Sequence, residues 1–351
     1  MVISALSNYY NYKPEWHLYI FLAKIWMVAD RRYARIVSSG SDLPKAVIGN
    51  EEWETRLGLE PGYIENVSGI KARRYASPEE AFGSMACRAS INAVDDYKKR
   101  RGHLPEKIDL VVCGRATPAN SNAFSMVGTV LEYLGSETDI ELGDVDMLEG
   151  PIGCSGALVG LNYIRQCIER GEAERGLFVG GSRLSEFIDP LSRGSMSFGD
   201  GVGAWIVEAS YECGILSYKG CMVPNANALR VSHGEGGYKL FMQGRETAAF
   251  VLRNAPRLVG GAIELSGYRI VDVDKFLFHQ ANMRLNEAVA GELDVPRSQL
   301  VSSPEYGNTS IASLPILWTD AVKSGEIKEN NLVVLCGYGV GLHAAAMVVK
   351  V

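Results

Sequence analysis

Cysteine is scarce in this chain. Its 351 residues hold seven (Cys87, Cys113, Cys154, Cys167, Cys213, Cys221 and Cys336), odd in number, scattered, and without a Cys-x-x-Cys spacing. That argues against a disulfide framework and offers no ligand set for a metal such as structural zinc; it fits a reducing, cytoplasmic setting. Long apolar runs are also missing. Trp16 to Ala29 is interrupted by Lys24 and is too short to span a bilayer, and it lacks the basic start and small-residue cleavage site of a secretory leader. No integral membrane association is expected. Positive charge is not in excess either. The net charge is -6, which disfavours a nucleic-acid partner. A P-loop is absent: Phe198-Gly199-Asp200-Gly201-Val202-Gly203 has no Lys-Ser/Thr after it and leads into a strand, so tight strand packing is its favoured role.

What is there is an ordinary globular composition, 47% hydrophobic and 22% charged, enough for two domains or one double-sized α/β unit. Residues 1–33 read as an N-terminal extension, helical and amphipathic. From Ala34 the chain alternates. Strands are expected at 34–38, 108–113, 175–180, 275–278, 332–335 and 344–349. Helices are expected at 50–57 with Asn50 as cap, from Ser77-Pro78-Glu79-Glu80 to about Arg101, and at 122–134. Further helices are expected at 245–255, ended by Pro256, and at 285–293.

The stretch Gly150-Pro151-Ile152-Gly153-Cys154-Ser155-Gly156-Ala157 reads as a nucleophile elbow. A short strand or strand edge is expected before it at Asp144 to Leu148, and the apolar stripe Leu158, Leu161, Ile164, Ile168 follows at helical spacing. Cys154 would then sit at a helix N-terminus, where unpaired amides and the helix dipole favour a thiolate and lower its pKa. His279, in His279-Gln280-Ala281-Asn282, and Asn308, in Gly307-Asn308-Thr309-Ser310, also fall where strands end or helices begin. Open α/β folds place their sites there. A thiol can accept an acyl group from a thioester, and two neutral donors could hold an enolate or oxyanion. Taken singly, each residue also has a plain reading: an inert buried Cys, a satisfied core His, a turn or cap Asn.

Together these segments resemble the β-ketoacyl-acyl carrier protein synthase III family of the thiolase superfamily. The resemblance runs from about Ala34 to the C-terminus. It also includes the Gly69-Ile70-Lys71-Ala72-Arg73-Arg74 stretch and the Phe198 to Ala204 glycine run. It implies an α/β thiolase-like fold, two similar βαβαβαββ halves stacked as five layers α-β-α-β-α, with halves at 34–210 and 211–351. It implies acylation of Cys154 by the first substrate. Decarboxylative Claisen condensation with a malonyl-type or β-keto-acid thioester follows, held by His279 and Asn308. Backbone N–H groups of Cys154 and of the Gly339 to Gly341 loop would form the oxyanion hole. Tyr63 and Arg193 would sandwich the adenine of coenzyme A, and Phe198 or a neighbouring apolar residue would shield the reacting carboxylate. Arg269 and Arg284 would dock an acidic acyl carrier protein. The protein would be a homodimer, with Phe124 reaching the partner's pocket. No tightly bound cofactor is implied; the substrates are acyl-coenzyme A or phosphopantetheine-borne thioesters.

Three features depart from the family pattern. Val67 stands where the family has an Arg that grips coenzyme A, which favours a carrier-bound donor. Glu149 precedes the elbow in place of a small residue; it would either reshape the acyl pocket or face solvent. The third is the aromatic-rich extension. Together they suggest a relative specialised for secondary metabolism, polyketide assembly included, rather than the primary initiator of fatty acid synthesis. The main rival is an acyltransferase that passes the acyl group to an alcohol or amine, with His279 as general base. Thiolase chemistry using Cys336 and a non-enzymatic subunit are weaker rivals.

Overall fold

The computed structural model describes residues 32–116, 125–151, 153–212, 214–234 and 237–351. The expected N-terminal helix and Phe124 lie outside the described residues.

The first half contains β1 (Tyr33–Asp42), β2 (Ala46–Gly49), α1 (Asn50–Leu57), α2 (Tyr63–Ser68), β3 (Ala72–Tyr75), α3 (Phe82–Arg101) and β4 (Leu110–Arg115). It continues with α4 (Met126–Glu137), β5 (Asp146–Pro151), α5 (Gly156–Glu169), β6 (Arg175–Ser182) and β7 (Gly201–Ser210). The second half contains β8 (Ile215–Met222), β9 (Leu229–Gly234), β10 (Gly237–Met242), α6 (Gly244–Ser266) and β11 (Lys275–Phe278). It ends with α7 (Met283–Glu292), β12 (Leu300–Val301), α8 (Ser313–Lys323), β13 (Leu332–Gly339) and β14 (His343–Lys350).

Each half builds one five-stranded sheet, in the orders β1-β7-β6-β4-β5 and β8-β14-β13-β11-β12. The pairings match step for step: antiparallel, antiparallel, parallel, parallel. The duplication is therefore plain in the topology, although the sequence shows no repeat that could be claimed.

Strand alternation sets the layers. Leu110 and Val112 of β4 join a central core with α5 and α8, while Val111 and Cys113 face α3 and α4. In the second sheet Val333 and Leu335 of β13 face the same central core, and Leu332, Val334 and Cys336 face α6 and α7. The period-two pleat gives central strands such as β4 and β13 two buried faces, and the result is five layers, α-β-α-β-α. The centre holds Trp205, Trp318 and Phe178 in tilted and edge-on ring contacts.

Several local expectations need correction. Pro256 lies inside α6 rather than ending it. It forfeits one hydrogen bond, to the carbonyl of Leu252 at the exposed surface. Burial of Phe250, Val251, Leu258, Val259 and Ile263 along the other face holds the helix through that position. Ser77 to Glu80 forms a turn closed by Glu80 N–H on Ser77 O and by Ser77 N–H on the Glu80 carboxylate; α3 begins at Phe82. Asn50 is the first residue of α1, not its cap. Its side chain donates to Ile70 O and accepts from Arg73. Glu149 is half-buried and is not among the residues that line the cleft holding Cys154. Its carboxylate accepts from Ser125 Oγ and from the N–H groups of Met126 and Val127, which caps the positive end of α4.

Candidate active site

Cys154 sits in the turn between β5 and α5, two residues before the first residue of the helix, and is buried. Its Sγ lies 3.3 Å from Ser310 Oγ. The backbone N–H groups of Cys154 itself and of Val340 lie where they favour a charged sulfur. Ser310 holds a left-handed backbone, φ 54°, a conformation uncommon for a non-glycine residue and one that marks functional sites. Gly339 packs directly on the nucleophile: a Cβ added there would lie 2.7 Å from Cys154 Cβ and 2.9 Å from its Sγ. Likewise, a Cβ on Gly153 would overlap the Val340 side chain.

The lowered thiol pKa expected from the helix N-terminus is not what the surroundings produce. Burial pushes the Cys154 thiol up, against the opposing hydrogen bonds from Ser310 and the two N–H groups. Desolvation of the thiolate outweighs them. Alkylation of Cys154 by iodoacetamide is therefore expected to keep accelerating as pH rises beyond the ordinary thiol range. A rate that levels off near neutral pH would show a depressed pKa instead.

His279 follows β11 directly, and its N–H donates to Cys336 O at 2.8 Å. The side chain is buried, and its Nδ1 has no hydrogen-bond partner among the described residues. Burial lowers its pKa to about 3, so the ring is neutral at physiological pH. Tyr338 supports it. The two rings meet edge to face at 5.3 Å. The Tyr338 hydroxyl donates to Asn286 Oδ1, and Asn286 Nδ2 donates to His279 O at 3.1 Å.

Asn308 precedes the turn into α8 and is held by its backbone: its N–H donates to Ser197 O (2.7 Å) and its O accepts from Gly199 N–H (3.0 Å). Its Oδ1 accepts from Ser310 N–H at 2.9 Å. With the oxygen engaged, the amide NH2 is the group free to donate to a ligand.

Cys154, His279 and Asn308 all line one cleft of about 410 Å³, together with Val67, Arg193 and Leu285. Leu229 and Met242 supply another wall from the ends of the β9–β10 hairpin, an element with no counterpart in the strand expectations. Gly339 lines the cleft as well. Gly341 is outside the cleft lining, and its carbonyl accepts from Asn225 N–H; within the same loop it is the Val340 N–H that acts on the sulfur. Arg284 lines the cleft while donating to Asn66 O and pairing with Glu287. Arg193 lies over the Tyr63 ring at 5.8 Å, so the two already face each other and would have to part to admit an adenine. Phe198 is buried and bridges Asn308 through its backbone; Met196 and Ser197 line the cleft in its stead. Arg269 is outside the cleft lining, exposed and paired with Asp272. Among the described residues, no three His, Cys, Asp or Glu side chains are grouped to hold a metal ion. No helix among them is long and apolar enough to cross a membrane.

Comparison with known proteins bears on the family and the fold. The family model described as 3-oxoacyl-[acyl-carrier-protein (ACP)] synthase III matches residues 151–221, and its C-terminal companion matches 263–351. The β-ketoacyl-[acyl-carrier-protein] synthase III of Staphylococcus saprophyticus is 32% identical over 316 residues, covering 89% of this chain and 96% of the relative. That of Oceanobacillus iheyensis is 32% identical, covering 90% and 98%. Among solved structures, the 3-oxoacyl-[acyl-carrier-protein] synthase III of Aquifex aeolicus superposes with a TM-score of 0.81 at 28% identity, over 91% of this chain and 100% of that one. The priming β-ketosynthase of the R1128 polyketide pathway gives 0.82 at 27% identity, over 92% and 97%.

Proposed function

The chain belongs to the β-ketoacyl-[acyl-carrier-protein] synthase III family, and on that premise we propose how its own residues divide an acyl-thioester-dependent condensation between them. Cys154 attacks the thioester carbonyl of the first substrate, and the N–H groups of Cys154 and Val340 take the developing oxyanion. The donor thiol leaves and the acyl group stays on sulfur. His279, as a neutral Nε2–H donor, and the Asn308 amide then bind the thioester oxygen of a malonyl-type substrate. The carbon–carboxylate bond breaks, carbon dioxide departs, and its electron pair becomes the enolate those donors hold. The carbanion attacks the acyl–Cys154 carbonyl, and collapse expels the Cys154 thiolate and releases a β-ketoacyl thioester.

One observation carries this reading above its rival: the fully buried, neutral His279. A base with a pKa of about 3 is too weak to deprotonate an alcohol or amine acceptor near neutral pH. A neutral hydrogen-bond donor for an enolate is what burial makes of it. The test is product analysis. Wild type given an acyl thioester and a ¹³C-labelled malonyl thioester should yield labelled carbon dioxide and a β-ketoacyl thioester together. Consumption of an alcohol or amine acceptor without carbon dioxide would establish the rival.

Acyl carrier protein is the proposed delivery partner. Val67 at the cleft supplies no positive charge for coenzyme A, while Arg193 and Arg284 both line the cleft. A homodimer is proposed through β5. This strand is the outer strand of its sheet, with Met147 52% and Leu148 38% exposed. An apolar sheet edge of that kind is a template for pairing with a second copy. Leu148→Lys is expected to shift the protein from dimer to monomer in sedimentation velocity; a wild type that sediments as a monomer would remove the proposal.

A further inference from the structure

The residue after the nucleophile is a serine at the N-cap of α5, yet its side chain does not cap the helix. Serine is among the preferred residues at this position because its oxygen can accept from an early helical N–H. Here the hydroxyl turns away and shares a 2.8 Å hydrogen bond with Nδ1 of His343, 188 positions along the chain. Ser155 is buried and His343 is partly so. Burial lowers the His343 pKa, which favours the neutral imidazole at neutral pH.

This hydrogen bond closes a ring of contacts around the nucleophile. Ser155 is bonded to Cys154 through the chain. Cys154 packs on Gly339. Gly339 is paired with His343 across the β13–β14 ladder. His343 returns to Ser155. Val340, whose N–H reaches the sulfur, sits in the short turn between Gly339 and His343. The two N–H groups assigned to the oxyanion hole thus belong to two segments, one in each half of the chain. Backbone packing brings those segments together, and the Ser155–His343 bond is the side-chain tie between them.

We infer that Ser155 and His343 are a positioning pair that sets the spacing of the Cys154 and Val340 N–H groups, acting on acyl transfer and not on decarboxylation. The inference rests on the condensation mechanism proposed above. The oxyanion hole serves the steps in which a carbonyl at Cys154 is attacked. The enolate is held by His279 and Asn308, which the pair does not touch. A small misplacement of preorganised donors is costly.

The test compares two rates in wild type, Ser155→Ala, His343→Leu and His343→Asn. One is acylation of Cys154 by acetyl and hexanoyl thioesters, each carried on coenzyme A and on acyl carrier protein, followed by intact mass in rapid quench. The other is carbon dioxide release from malonyl-coenzyme A with no acyl donor. Ser155→Ala and His343→Leu should each slow acylation by on the order of ten- to a hundredfold, with carbon dioxide release at the wild-type rate. The double variant should be no slower than either single one. His343→Asn, whose side-chain amide branches at the same carbon as Nδ1, should recover most of the loss. Wild-type acylation in all variants overturns the inference, as does a parallel fall of both rates, which would mark general damage to the fold. If wild type itself is not acylated at Cys154 by either thioester, the mechanism proposed above fails and the inference falls with it.

Discussion

Alanine at His279 or at Asn308 is expected to lower carbon dioxide release from a malonyl thioester by about 10²- to 10³-fold, the usual cost of losing one oxyanion donor. The magnitude follows from where the two side chains sit. Both line the cleft, both are buried, and both have had their alternatives removed. The Asn308 oxygen is occupied by Ser310 N–H, which leaves the amide hydrogens to act. The His279 ring is kept neutral by burial. Neither variant should abolish acylation of Cys154, because that step uses the sulfur and the backbone N–H groups beside it. The double variant should fall short of the product of the single losses, since one remaining donor has little to hold the enolate with. Rates of carbon dioxide release measured beside rates of acylation check this. An equal loss of both, or a decarboxylation rate unchanged in either single variant, would assign the two residues to another role.

A second large effect is expected at Gly339. Its backbone is extended, φ 169°, so any residue can adopt it and no left-handed conformation is at stake. The obstacle is contact. An alanine Cβ would stand 2.7 Å from Cys154 Cβ and 2.9 Å from Sγ, and the short cysteine side chain has no flexible end to give way. The nucleophile must shift. A displacement of that kind is expected to slow acylation by on the order of 10²-fold, with a smaller stability loss of about 1–3 kcal/mol from overpacking. Acylation followed by mass and a thermal melt separate the two. An enzyme that melts lower yet acylates at the wild-type rate would mean Gly339 matters for packing alone.

Much of this site was legible in the sequence because its chemistry falls at the ends of elements. Cys154, His279 and Asn308 lie close to strand ends or helix starts, and the resemblance of their ordered motifs to a known family is what singles them out from plain core or turn residues. What stayed hidden depends on the third dimension. Ser310 reaches the sulfur only through a left-handed backbone. Tyr338 supports His279 from a strand far along the chain. Val340 supplies an amide, and a backbone group leaves no trace in its own side chain. The thiol pKa went the wrong way for the same reason: a helix start is visible in a sequence, but the burial that opposes it is not. Glu149 stands just before the elbow in sequence, yet its carboxylate answers to α4. Pro256 obeyed tertiary packing over its local preference. The two halves share one sheet order in their strand pairing without a matching sequence repeat, so only the fold displays it.

The most direct measurement is intact mass after exposure to a panel of acyl-coenzyme A and acyl-carrier thioesters, wild type beside Cys154→Ala. The expected result is a gain of one acyl group on the wild type, lost again when a malonyl thioester is added and a β-ketoacyl thioester appears, with no gain on Cys154→Ala. An acyl group retained by Cys154→Ala, or an acyl-Cys154 that a malonyl thioester leaves untouched, would contradict condensation at this cysteine.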